Sequence, residues 1–243
     1  MIKFFRHIRQ KLLSQGKTGT YFKYAIGEIV LVVIGILIAL QINNWNENRK
    51  SAEIRKNYYK QVLQDLKKDT IYIHENIKRL DSSLSNYNRY VNSLAKAETT
   101  TDVMNIVFEL DWFFQYLIFN TNTIESLIAT GDIKLLPDHV RNALLDLRTI
   151  QNGILKVTAG NDNIWLQNSQ KAGGLGVINL ILEIHPKLLS QLNRKEDIIS
   201  AINILNTTFQ LKNYTEKNVL NSMNELLISI NELTDLIHKE LKK

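Results

Sequence analysis

The chain begins with mixed apolar and basic residues, passes through an unbroken apolar run, and then settles into apolar positions spaced alternately three and four residues apart. From Tyr24 it reads YAIGEIVLVVIGILIALQI, and from Ile29 to Leu40 no face of a helix would carry a polar side chain. At 1.5 Å per residue this segment spans about 28 Å, close to the hydrocarbon thickness of a bilayer. The pattern predicts a short arm over residues 1–23, a transmembrane helix over 24–42 and an extracytoplasmic helical domain over 43–243. A cleaved signal peptide is the competing reading. Its apolar region is usually shorter and ends in small residues, whereas this run closes on Ala39-Leu40-Gln41-Ile42.

Beyond Trp45 no proline or glycine occurs before Ala97, and an apolar seam runs through Tyr59, Leu63, Leu66, Thr70, Ile73, Ile77, Leu80, Leu84, Tyr87, Val91 and Leu94. That spacing predicts a long helix with a narrow, coiled-coil-like seam, and leaves open whether it is continuous with the membrane helix. A second seam, Leu220, Met223, Leu227, Ile230, Thr234, Ile237 and Leu241, predicts a partner helix that packs antiparallel on the first. Between them, Thr101-Asp102 can cap a helix through Phe119, with Val107 to Ile118 as core. Thr121 to Thr130 predicts a short helix stopped by Gly131, and Pro137-Asp138 starts another through about Val157. Gly160-Asn161-Asp162-Asn163 and Lys171 to Gly176 read as loops, and a last helix from about Lys195 carries a break signal at Asn213. The fold class expected is all-α: one N-terminal transmembrane helix, then a helical bundle with two long helices. Two prolines in 243 residues suit it.

Charge placement adds a topology. Lys3, Arg6, Arg9, Lys11, Lys17 and Lys23 precede the apolar run with no Asp or Glu among them. The rest of the chain is charge-balanced, so the formal net charge of +6 lies wholly on the N-terminal flank. Placed there it holds the N-terminus in the cytoplasm by the positive-inside rule, and it argues against nucleic acid as a partner, since no folded part is left with a basic excess. Tyr21, Phe22 and Tyr24 at one end and Trp45 at the other are placed as interface anchors. Phe4, Phe5, Ile8 and Leu12 interleave with the cations as a basic amphipathic helix ended by Gly16 and Gly19, read chiefly as a passive anchor on the inner leaflet. Glu28 lies inside the span and shares a stripe with Gly35 and Ala39. The stripe suits close packing of a second transmembrane helix, while the alternative is a glutamate that snorkels to the headgroups beside incidental small residues.

The stretch KYAIGEIVLVVIGILIALQINNWNE, Lys23 to Glu47, preceded by MIKFFRHIRQKLL, resembles the N-terminal hallmark of a family of uncharacterised membrane proteins common in flavobacteria and their relatives. A further likeness lies at NTNTIESLIATGDIKLL, Asn120 to Leu136. The resemblance implies an inner-membrane protein with a periplasmic helical domain, and it carries no catalytic residue over to this chain.

Candidate chemistry is sparse. His7, His74, His139, His185 and His238 stand singly, without the i, i+4 spacing of paired metal ligands, and there is no cysteine. The Gly173-Gly174-Gly176 cluster lacks the order of a dinucleotide loop, the Asn161 to Asn163 run lacks the closing Glu of a calcium loop, and Glu109 and Asp111 fall on different helical faces. No metal or cofactor is expected. The leading expectation is a non-enzymatic, membrane-anchored module for protein–protein or envelope contact, as a homo-oligomer or with an envelope partner. The alternative is a periplasmic ligand-sensing domain coupled to a separate cytoplasmic protein, because an arm of about 23 residues cannot form an output domain.

Overall fold

A computed structural model describes residues 18–109, 116–175 and 195–243. The described residues are helical with no strand, and the elements run α1 (Thr18–Leu94), α2 (Thr100–Phe108), α3 (Asn122–Thr130), a short 3-10 turn (Asp132–Leu135), α4 (Asp138–Gly174) and α5 (Lys195–Leu241). The chain divides into two units, Met1–Lys56 and Asn57–Lys243.

In the first unit the described part is helical from Thr18, and none of its described side chains is buried. Phe22, Ile29, Leu31, Leu37 and Ile42 are each more than half exposed, so this helix is no core element of a water-soluble fold. It is long and apolar enough to cross a membrane, and a signal sequence near an N-terminus has the same character. Of the topology charges only Lys23 is described, and it is exposed; Lys3, Arg6, Arg9, Lys11 and Lys17, with the amphipathic segment they belong to, lie outside the described residues. Gly19, expected to end that segment, is instead inside α1.

The second unit is built on three long helices, with the seams displaced from the predicted register. On α1 the shared row Tyr59, Leu66 and Ile73 is buried as expected, but its companion row is Val62, Asp69, Asn76 and Tyr90 rather than Leu63, Thr70, Ile77 and Val91. On α5 the companions of Met223, Ile230 and Ile237 are Leu226 and Leu233 rather than Leu227 and Thr234. Leu63, Ile77 and Leu227 pack at the margin. A helix covered by several neighbours buries a stripe broader than a two-position seam, and neighbour geometry then sets its centre.

Hydrogen bonds give the directions. Ser83 and Tyr90 on α1 donate to Glu216 and Asn206 on α5 at 2.7 and 3.1 Å, an antiparallel pairing. On α4, His139 lies 3.1 Å from Glu240 near the end of α5, while Trp165 stacks edge-on against Phe209, so this pair is antiparallel too.

The middle of the chain departs from expectation. The cap of α2 is Thr99, whose hydroxyl accepts from the Asp102 amide while Asp102 accepts from the Thr99 amide, a reciprocal capping box. That helix ends at Phe108 rather than Phe119, and residues 116–121 are not helical. Val107 and Phe119 are buried, but Tyr116 and Ile118 are 81% and 71% exposed, and Trp112 falls outside the described residues. Gly131 caps α3 in the left-handed region at φ 77°, as the sequence suggested. The loop expected at Gly160–Asn163 is absent: α4 runs through it to Gly174, and α5 passes Asn213 unbroken. Lys171 to Gly174 are helical as well, and Gly176 lies outside the described residues.

Candidate functional site: a polar layer in the helical core

The apolar core of the second unit is in two parts. The larger runs from Tyr59 to Ile73 on α1, Val140 to Ile154 on α4 and Val219 to Ile237 on α5; the smaller gathers Tyr90, Val107, Trp165, Ala172, Ala201, Leu205 and Phe209. Between them the three long helices turn polar side chains toward one another. Each contributes four lining residues at i, i+3, i+4 and i+7: Asn76, Arg79, Leu80 and Ser83 from α1, Thr158, Asn161, Asp162 and Trp165 from α4, and Lys212, Thr215, Glu216 and Val219 from α5. They enclose a cleft of about 220 Å³, which Leu117 also borders.

Asn161 and Asp162, which sequence patterning read as part of a loop on α4, therefore belong to this layer, while Asn213, read as a break on α5, lies beside it next to Lys212. Asparagine, aspartate and threonine are poor helix formers, and packing on both sides overrides that weak preference. The signal that could have revealed the site was the period: Thr158, Asn161, Asp162 and Trp165 repeat at the spacing of a core-facing stripe, as do Lys212, Thr215, Glu216 and Val219.

Charges within the cleft are partly self-satisfied. The Ser83 hydroxyl donates to Glu216 Oε2 at 2.7 Å, and Lys212 Nζ lies 3.7 Å from Glu216 Oε1 and 5.5 Å from the centroid of the Trp165 ring, as a cation–π contact. Asn76, almost wholly buried, donates to the Tyr72 carbonyl at 2.8 Å. Asp162 makes no hydrogen bond or ion pair among the described residues, and burial pushes its carboxyl above the usual range against the partial counter-pull of Lys212. Arg79 likewise makes none. Farther along α1, burial together with neighbouring Tyr87 pushes the Tyr90 hydroxyl up to about 12.

A second polar set is structural. Asp69 is 1% exposed, and its Oδ1 accepts from the Asn120 amide at 2.9 Å and from Asn120 Nδ2 at 2.7 Å, while Oδ2 accepts from Gln151 Nε2 at 2.8 Å. Burial raises this carboxyl, the Asn120 and Gln151 donors pull it down, and Asp65 adds repulsion. Thr123 donates to Asp65 at 2.5 Å, Tyr58 to Asp132 at 2.9 Å, and the Tyr72 hydroxyl donates to the Tyr116 carbonyl and accepts from the Ile118 amide. Tyr58, Asp65, Asp69 and Tyr72 thus form a ladder that fastens the 116–132 segment along α1. Asn120 and Thr123, the first and last residues of the NTNT stretch, supply two of its rungs.

The residues singled out from sequence lie in the other unit. Glu28 is half-buried and borders a shallow hollow with Lys23, Tyr24, Gly27 and Leu31, while Gly35 and Ala39 are exposed. A Cβ added at Gly35 would meet nothing within 4 Å. Phe22, Tyr24 and Trp45 are exposed, and the side chain of Tyr21 is outside the description. Among the described residues no group of three or more His, Asp or Glu could hold a metal ion.

No curated protein and no solved structure matches the chain. A family model does, over residues 28–156, from within the apolar helix through the whole Asp69 ladder to Lys156 on α4. That match covers more than half of the chain, and the protein belongs to this family of unknown function, DUF6090.

Proposed function

We propose that the protein is a single-pass inner-membrane module whose periplasmic helical bundle binds a small polar ligand in the cleft between α1, α4 and α5. The carrying observation is the polar layer: apolar residues at the same positions would join the two core clusters without a void. An unpaired carboxylate and an unfilled volume in a core both cost stability, and such costs collect at functional sites. The membrane placement rests on the exposed apolar helix and the six cations before it. These support a span over about Tyr24–Ile42 with the N-terminus in the cytoplasm. Since the protein has no cysteine, single substitutions test this directly. Ser82→Cys is expected to react with a membrane-impermeant maleimide from the periplasm and Ser14→Cys is not; the reverse labelling overturns the topology.

Binding rather than catalysis fits the chemistry. Ser83 donates to Glu216, which Lys212 faces, and no histidine stands among the described lining residues to activate the hydroxyl. The ligand test is thermal unfolding of the full chain in detergent with α-amino acids, dicarboxylates, monosaccharides and polyamines as probes. At least one class is expected to raise the melting temperature, by the mass-action stabilisation of a ligand that binds only the folded state. The rise should vanish in Asp162→Leu/Thr215→Val. No shift with any class, or equal shifts in the filled variant, overturns the reading.

A contact or scaffold role draws on a different observation. The Tyr72 hydroxyl pins the backbone at Tyr116 and Ile118 while both side chains stand in solvent, a fixed apolar display suited to an envelope partner. Within the membrane, the Glu28–Gly35–Ala39 stripe would let two copies approach; crosslinking that Gly35→Leu leaves unchanged would count against it.

A further inference from the structure

We infer that the cleft takes a small zwitterion of α-amino-acid type, its ammonium group facing Asp162 and its carboxylate facing Arg79. This rests on the cleft being a ligand site and adds the ligand's class. Four formal charges line the cleft, two of each sign. Lys212 pairs with Glu216 at 3.7 Å and pulls only partly on Asp162, and Glu216 is further held by Ser83. What remains is one cation and one carboxylate, neither with a hydrogen-bond or ion-pair partner among the described residues.

That remainder selects among ligand chemistries. A dicarboxylate would pair with Arg79 but meet Asp162 as a like charge, and a polyamine would do the converse. A sugar would leave the partly buried Asp162 without a close counterion, where an unmatched charge is costly, and would make no use of the exposed Arg79 beside it. The Trp165 ring, a stacking platform for a sugar or an aromatic ligand when free, already carries the Lys212 ammonium. A ligand holding both signs a few bonds apart satisfies both protein charges at once. Size agrees: a cleft of about 220 Å³ has room for an amino acid with a small side chain.

Titration calorimetry on the full chain in detergent tests this, with the common α-amino acids as probes and with propionate and ethylamine as analogues that keep one charge each. At least one α-amino acid is expected to bind with Kd below about 1 mM. The single-charge analogues should bind at least about tenfold more weakly, and Asp162→Asn and Arg79→Gln should each weaken the amino acid by a similar factor. Both substitutions sit outside the apolar clusters, and a melting temperature without ligand no lower than that of wild type verifies their fold. Binding indifferent to the loss of either charge overturns the inference. If dicarboxylates, sugars or polyamines bind in the cleft while α-amino acids do not, the zwitterion is wrong and the ligand site stands; if no probe class binds, both fall.

Discussion

Replacing Asp69 by alanine removes the one acceptor shared by three buried donors: the Asn120 amide, the Asn120 side chain and the Gln151 side chain. A buried donor left without a partner costs about 1–3 kcal/mol. Taking the lower part of that range for each, since the Asn120 end lies nearer solvent, gives a loss of about 3–5 kcal/mol, the size found when one partner of a buried charged pair is deleted. For a unit of this size, each kcal/mol moves the midpoint by about 2–4 °C, so the melting temperature should fall by about 10 °C. Asp69→Asn keeps the shape and one oxygen but turns an NH2 toward a donor, and about half the loss is expected. Urea unfolding followed by tryptophan fluorescence is a suitable assay, because Trp165 is buried in the same unit. A change below about 1 kcal/mol in Asp69→Ala would refute the reasoning, since it would mean that the ladder does not hold the 116–132 segment on α1.

Gly131→Ala places a side chain at φ 77° with open space around it, so only the left-handed backbone is penalised; a loss of about 1 kcal/mol is expected in the same assay, with Gly131→Asn losing less. Asp162 titrates above its unfolded value of 3.8, so between that value and its folded pKa the folded state holds more protons than the unfolded state. The stability this group contributes therefore falls as pH rises through that window, and Asp162→Asn should gain more over wild type at pH 7 than at pH 4. Equal gains at the two pH values would show that Asp162 is not desolvated.

The helices were legible in the sequence because their apolar periods are long and prolines rare; the α3 stop at Gly131 and the α4 start at Pro137 followed from local backbone chemistry. The register was not. Choosing the most apolar residue at each step selects Leu63, Ile77 and Leu227, whereas the buried row contains Asp69 and Asn76, polar residues whose partners are far away in the chain. Tertiary pairing of that kind leaves no trace in a local window. The cleft was hidden by the same rule: Asn161 and Asp162 are turn formers by intrinsic preference, and only their spacing relative to Thr158 and Trp165 marks them as inward-facing. Residues 116–121 show the converse, an apolar stretch that reads as helix yet is held as an irregular strap by hydroxyls and carboxylates on α1.

The polar layer is either part of what holds the helices together or a site maintained at the fold's expense, and the stability of the cleft-filled variant Asp162→Leu/Thr215→Val separates the two. Fully burying a leucine contributes about 1.5–3 kcal/mol, so a half-buried one contributes about 1 kcal/mol, and removal of the unpaired carboxylate adds to that. The account expects the filled variant to melt a few degrees above wild type without ligand; a variant that melts several degrees below it would contradict the claim that this layer exists for binding.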